Sequence, residues 1–172
     1  MNLYNSILIL LKKKYYIFLF LIIVISDLVS KNLIINYFSL YELKKILPIF
    51  NFFYIDNYGS IFGLFSDRKI WQYWFLILSN ITAIIIISKI TYSSISNKKK
   101  EISYVFIMSG AISNLLDRIS HGFIVDFIDF HIYQWHFPVF NIADISIFIG
   151  IILLIKLNIL NKLNKKYSKQ KY

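Results

Sequence analysis

Four apolar runs, each about 20 residues long, decide what this chain can fold into. They cover roughly residues 15–35, 70–90, 102–120 and 141–160. A helix rises about 1.5 Å per residue, so each run is long enough for the ~30 Å hydrocarbon core of a bilayer. Of the 172 residues 58% are hydrophobic and only 16% are charged, against about a quarter charged in a soluble domain. The expectation is an all-α membrane protein with four transmembrane helices. Neither a repeat nor a linker interrupts the chain, so residues 1–172 are read as one integral membrane domain.

The net charge of +10 raises the question of nucleic acid, and the placement of the charge answers it. Lysines gather at Lys12–Lys14, at Lys98–Lys100 and from Lys162 to Lys171, always beside an apolar run. Basic clusters of this kind are retained on the cytoplasmic side and favour anionic lipid head groups. No nucleic-acid motif accompanies them. This orientation puts both termini and the 91–101 connector inside. Thirteen of the nineteen Lys and Arg then lie on or near that side, with Glu101 the only acid there. No small-x-small cleavage site follows the first run and later runs come after it, so it is read as an uncleaved signal anchor. Trp71, Tyr73 and Trp74 open the second run as an interfacial belt.

Residues 36–69 and 121–140 become outer segments. The first holds Pro48, Gly59 and Gly63 among β-favouring Tyr, Phe and Ile, which predicts a small extracytoplasmic β-rich segment. There is no cysteine, so disulfides and thiolate chemistry are excluded.

Within this apolar chain, the stretch Gly110–Phe148 carries four Asp, two Asn and one Arg. An ionisable residue at the centre of a membrane helix costs roughly 2.5–3.5 kcal/mol, so such a cluster is read first as a functional site. The topology collects the polar groups at one depth. Asp27 and Lys31 lie in the outer half of the first span. Asn114, Asp117 and Arg118 end the third, and Asn141 and Asp144 begin the fourth. Asp27 and Lys31 are i,i+4, acid first; Asn114/Asp117 and Asn141/Asp144 are each i,i+3 on one face. Asp126 sits in the apolar run Phe123–Ile128, where a charge needs a partner or a raised pKa.

Plainer readings stand beside these. Asn141 and Asp144 form a helix N-terminal cap resembling a capping box. Asp117 with Arg118 reads as an interfacial ion pair, and Asp27 with Lys31 as a local pair worth about 0.3–0.5 kcal/mol if solvated. Asp129 rivals Asp126. His121, His131 and His136 fit no metalloprotease spacing, so no metal is expected, and no cofactor is implied. Ser26, Ser30 and Ser113 lack a nucleophile elbow. A small transporter or channel subunit with ion-coupling carboxylates is the alternative function, but a transport path places polar groups at several depths.

Several separate blocks resemble the lipoprotein signal peptidase family, signal peptidase II, over nearly the whole chain. Asp27-x-x-x-Lys31 is similar to an Asp-Gln-x-Thr-Lys block, with Leu28 and Ser30 as departures. Asn57-Tyr58-Gly59-Ser60-Ile61-Phe62 resembles Asn-x-Gly-Ala-Ala-Phe, with Ser60 and Ile61 replacing alanines. Gly110 to Arg118 resembles Gly-Gly-x-x-Gly-Asn-x-x-Asp-Arg, with Ser109 and Ser113 at glycine positions. Val125-Asp126-Phe127 and Phe140-Asn141-Ile142-Ala143-Asp144 match their blocks without departure.

The resemblance implies an aspartyl endopeptidase of the bacterial inner membrane, working near the outer leaflet on prolipoproteins whose cysteine carries diacylglyceryl. Asp126 and Asp144 take the catalytic role. Asp27, Lys31, Asn57, Gly59, Asn114, Asp117, Arg118 and Asn141 take substrate-binding or supporting ones, with scaffold favoured for Asp117. Membrane lipids are the expected surroundings and a monomer the expected state. Inhibition by the cyclic peptide globomycin is also implied. Two carboxylates suit peptide hydrolysis when one is ionised and one protonated. At about 4 Å and an effective dielectric of 20, two charges repel by roughly 4 kcal/mol, so the pair shares a proton.

Overall fold

The computed structural model describes residues 3–59, 70–93 and 98–169. Four helices are present: α1 (Leu3–Tyr37), α2 (Ile70–Ser93), α3 (Lys98–His121) and α4 (Ile142–Lys169). Four strands lie between them: β1 (Leu43–Leu47), β2 (Phe50–Asn57), β3 (Ile124–Ile132) and β4 (Trp135–His136). Three helical stretches, Lys14–Tyr37, Ile70–Ile90 and Ile142–Asn161, are long and apolar enough to cross a membrane. The chain is a multi-pass membrane protein.

The expected third span departs from that pattern. Within α3, Ser103, Ser109, Ser113, Asn114, Asp117 and Arg118 are all buried. This helix turns its polar face inward, against α4, α1 and α2, and so lacks the apolar composition of the others. Helix ends differ as well. The first helix begins well before residue 15, because Lys12–Lys14 continue it rather than precede it. Two helices also grow into the expected 91–101 connector, α2 to Ser93 and α3 from Lys98.

Close approach of α3 and α4 rests on small residues. A Cβ on Gly110 would run into the backbone oxygen of Ala143, and one on Gly150 would lie 2.6 Å from the Ser103 oxygen. Between these two points Ser109 and Ser146 share a hydrogen bond of 3.2 Å. Such contact at backbone distance is how helices associate where lipid supplies no hydrophobic drive. It also fixes Asp144 relative to Asn114. At its C-terminus α3 stops at Gly122, whose φ of +83° turns the chain while its N–H caps the Arg118 carbonyl at 3.0 Å.

The β-rich expectation for residues 36–69 is met by β1 and β2, but half the sheet comes from 121–140, read only as an outer segment. The order is β1-β2-β3-β4, antiparallel throughout. Strand β3 also carries the expected catalytic Asp126, inside a run buried on both faces from Ile124 to Asp129. Burial on both faces hides the period-two alternation that marks a half-exposed strand. Ile34 of α1, Tyr54 of β2 and Val125, Phe127 and Ile128 of β3 form the core that seats the sheet on the helices.

Candidate active site

Strand register decides which acids of β3 meet the helices. Asp126 and Asp129 are three residues apart, so their side chains leave opposite faces of the strand. Asp126 is nearly fully buried and faces the helical ends. Asn57, diagonally across on β2, donates from Nδ2 to its Oδ2 at 2.8 Å. Asn141, at the head of α4, donates from Nδ2 to its Oδ1 at 2.6 Å. Asp129 is occupied elsewhere: it accepts from Asn51 on β2 at 2.8 Å and pairs with His136 on β4 at 2.8 Å.

Asn141 and Asp144 make the reciprocal cap that their spacing predicts. The Asp144 N–H donates to Asn141 Oδ1 at 2.9 Å, and the Asn141 N–H reaches Asp144 Oδ2 at 3.4 Å. The cap and the site use the same atoms. The Asn141 side chain bonds Asp126 with its nitrogen and Asp144's backbone with its oxygen, so it bridges the two acids. Asn114 of α3 completes the set, donating to Asp144 Oδ1 at 2.8 Å.

Burial pushes the Asp126 carboxyl up to about 7, and the neighbouring charge of Asp144 pushes in the same direction. The amides of Asn57 and Asn141 and the charge of Lys31 work against that rise. Burial and the neighbouring Asp144 charge thus favour the neutral form of the Asp126 carboxyl.

The remaining expected residues join the same assembly. Lys31 pairs with Asp27 at 2.8 Å and with Asp117 at 3.3 Å, and donates to Asn114 Oδ1 at 2.9 Å. All these groups are buried, so Asp27–Lys31 is not the solvated local pair of the plainer reading. Asp27 also accepts from Ser113 Oγ at 2.7 Å and from the Ala143 N–H at 2.8 Å, tying α1 to both α3 and α4. Asp117 does not serve as the partner of Arg118. It accepts from the Val125 N–H at 2.8 Å and from His121 at 2.8 Å, so it anchors β3 one residue before Asp126. Arg118 instead donates to the Gly59 oxygen at 2.9 Å, with its charge felt by both Asp126 and Asp144. The Gly59 N–H closes a local turn on Asn57 Oδ1 at 3.1 Å. Ser60, Ile61, Phe62 and Gly63 lie outside the described residues.

Sequence reasoning missed the partners that are not acids or amides. Ser113 stands at a departure from the family pattern, yet its hydroxyl serves Asp27 across 86 positions of chain. The His121–Asp117 pair was legible as an i,i+4 spacing. The Val125 and Ala143 backbone donors left no side-chain signal. Among the described residues, no group of three or more His, Asp or Glu is arranged to hold a metal ion.

Comparison with known proteins agrees with the block pattern. The family described as Signal peptidase (SPase) II matches residues 19–160. A lipoprotein signal peptidase of Buchnera aphidicola subsp. Acyrthosiphon pisum (strain Tuc7) is 48% identical over 148 residues, covering 86% of this chain and 92% of the relative. One from Photorhabdus laumondii is 40% identical, covering 81% and 84%. A solved structure described as a bacterial membrane enzyme superimposes with a TM-score of 0.78 at 29% identity, covering 88% of this chain and 92% of that one.

Proposed function

We propose, on the premise that this chain belongs to the signal peptidase II family and carries its peptidase function, that Asp126 and Asp144 are the carboxylates that cut. The observation that carries this reading is the single residue Asn141, whose side-chain nitrogen donates to the strand carboxylate of Asp126 while its backbone N–H reaches the helix carboxylate of Asp144, with Asn57 and Asn114 donating to the other oxygen of each.

Asp144 is partly exposed, whereas Asp126 is almost wholly withdrawn from solvent. Asp144 is therefore the base that takes a proton from the attacking water, and Asp126 is the acid that holds the shared proton at rest. The water oxygen adds to the carbonyl carbon of the residue before the lipidated cysteine, and Asp126 protonates the carbonyl oxygen. Asp144 then delivers its proton to the leaving amine as the C–N bond breaks, and Asp126 recovers one from the diol. Arg118 and Gly59 line the approach and hold the peptide backbone. The substrate is a prolipoprotein with a diacylglyceryl cysteine, which reaches the site from the surrounding lipid.

The same reading makes the whole chain one domain of four spans, with α3 as the third, acting as a monomer in the bacterial inner membrane. Both termini lie in the cytoplasm, and the site opens near the outer leaflet. The lysine clusters support this orientation. Transport finds no support, because the buried ionisable residues of α1, α3 and α4 are joined in one network and the relatives are peptidases.

Purified protein is expected to cleave a diacylglyceryl prolipoprotein and spare its unlipidated form. Asp126→Asn and Asp144→Asn each abolish cleavage while the protein stays folded; near-normal turnover in either would overturn the assignment. Because the chain has no cysteine, topology is testable with single introduced ones. A membrane-impermeant maleimide should label Tyr133→Cys in intact spheroplasts and Glu101→Cys only after lysis.

A further inference from the structure

Lys31 lies one turn beyond Asp27 on α1 and is 1% exposed. Its three ammonium protons have three acceptors. Two are carboxylates, Asp27 and Asp117. The third is the side-chain oxygen of Asn114, at 2.9 Å. That neutral contact is the unusual one, because the other end of the same amide donates to Asp144.

A terminal amide has nearly the same shape when turned through 180°, but its donor and acceptor ends change places. Turned over, Asn114 would set its oxygen against the Asp144 carboxylate and its NH2 against an ammonium. Lys31 makes that state costly. The Asn141 Nδ2 also donates to Asn114 Oδ1, at 3.2 Å, so a turned Asn114 would confront two donors. Asn141 is held from its own other end, where its oxygen accepts the Asp144 N–H. Its nitrogen is thereby left pointing at Asp126. The chain of contacts runs from an ammonium through two amides to both carboxylates.

We propose that Lys31 is a positioning residue for peptide cleavage: by occupying Asn114 Oδ1, its ammonium fixes the orientation of the Asn114 amide and so keeps that amide's N–H donor on the Asp144 carboxylate and its oxygen toward the Asn141 nitrogen. The inference rests on the Asp126/Asp144 reading above. The competing role for Lys31 is charge balance alone, as counterion to Asp27 and Asp117.

Two variants separate the roles. Lys31→Met removes the ammonium but leaves two buried carboxylates short of a counterion, so its folding is at risk. Asp27→Asn/Lys31→Met removes one charge of each sign. It keeps an acceptor oxygen for the Ala143 N–H and places an NH2 against the Ser113 hydroxyl, which can turn to accept it, and Asp117 retains His121 and the Val125 N–H. A lysine that only balances charge is dispensable in this double variant. A lysine that orients an amide is not.

Cleavage of a diacylglyceryl prolipoprotein in detergent micelles is the assay. The double variant is expected to fold and to lose about tenfold to a hundredfold in kcat, the scale of a lost charge-assisted hydrogen bond, with KM within about twofold. In Lys31→Met, where it folds, the alkaline limb of kcat/KM also moves to higher pH, because the Lys31 charge draws Asp126, the acid of the pair, downward. The other charged groups around Lys31 remain in place there: Asp27 on α1, Asp117, Arg118 and His121 on α3, Asp126 on β3 and Asp144 on α4. A double variant with wild-type kcat overturns the proposal. Asp126→Asn, assayed alongside, reports on the underlying reading: if it is inactive while the double variant runs at full rate, only the role of Lys31 falls. If Asp126→Asn itself cleaves, the dyad falls.

Discussion

Replacing Asp126 with Asn should flatten the pH dependence of the protein's stability. The carboxyl of Asp126 is pushed up to about 7 from an ordinary 3.8, first by burial and then by the charge of Asp144. The folded state therefore holds this proton over a range where the unfolded chain has lost it. Stability falls with pH wherever the folded state binds more protons. The Asp126 contribution is thus intact below about pH 3.8, declines as pH rises, and is fully lost above about 7. Roughly three pKa units at 1.36 kcal/mol each amount to about 4 kcal/mol between those limits. An Asn at this position never ionises and carries no such term. It also meets two amide donors, Asn57 and Asn141, with only one acceptor oxygen. That mismatch costs about 1–3 kcal/mol at every pH, so the pH-dependent part is the informative one. Thermal unfolding followed by tryptophan fluorescence in detergent, from pH 4.5 to 8.5, measures it. The wild-type midpoint is expected to drop with rising pH relative to the variant and to cross below it toward the alkaline end. Parallel profiles would refute the argument, because they would mean Asp126 ionises as easily folded as unfolded.

Two further substitutions test the packing and the division of the acids. Gly110→Leu should force α3 from α4 at Ala143, lowering the melting temperature and reducing cleavage at least tenfold, since Asn114 and Asp144 sit on those two helices. Gly150→Ala meets the Ser103 oxygen and Ile107, farther along α4; its effect should fall on stability, with kcat changed less than about threefold. Asp129→Asn should lose about 1–3 kcal/mol of stability through its Asn51 and His136 partners. Cleavage by the folded protein should remain within about threefold of wild type, as measured with the lipidated substrate.

Much of the candidate site was legible because its residues are anomalous in an apolar chain. Asp27, Lys31, Asn114, Asp117, Arg118, Asn141 and Asp144 stand out by their cost in lipid, and their helical spacings place them on shared faces. The cap of α4 followed from the three-residue spacing of Asn141 and Asp144. Asp117 shows where such reading stops. Arg118 is its neighbour in sequence, but consecutive residues point about 100° apart on a helix, and the two side chains found partners on different elements.

What the sequence determined by itself was therefore local or compositional: apolar lengths, basic flanks, caps and i,i+4 pairs. These depend on residues a few positions apart, or on transfer into lipid, and need no knowledge of the rest of the fold. Only the tertiary structure decided that Asp126 rides a strand, that register turns Asp129 to the opposite face, and that Ser113 and Lys31 serve groups on other helices. It also decided that α3 turns its polar side inward, where small residues let α4 approach. Each of those outcomes depends on contacts between residues distant in the chain, whose geometry exists only once the helices and the sheet have packed together.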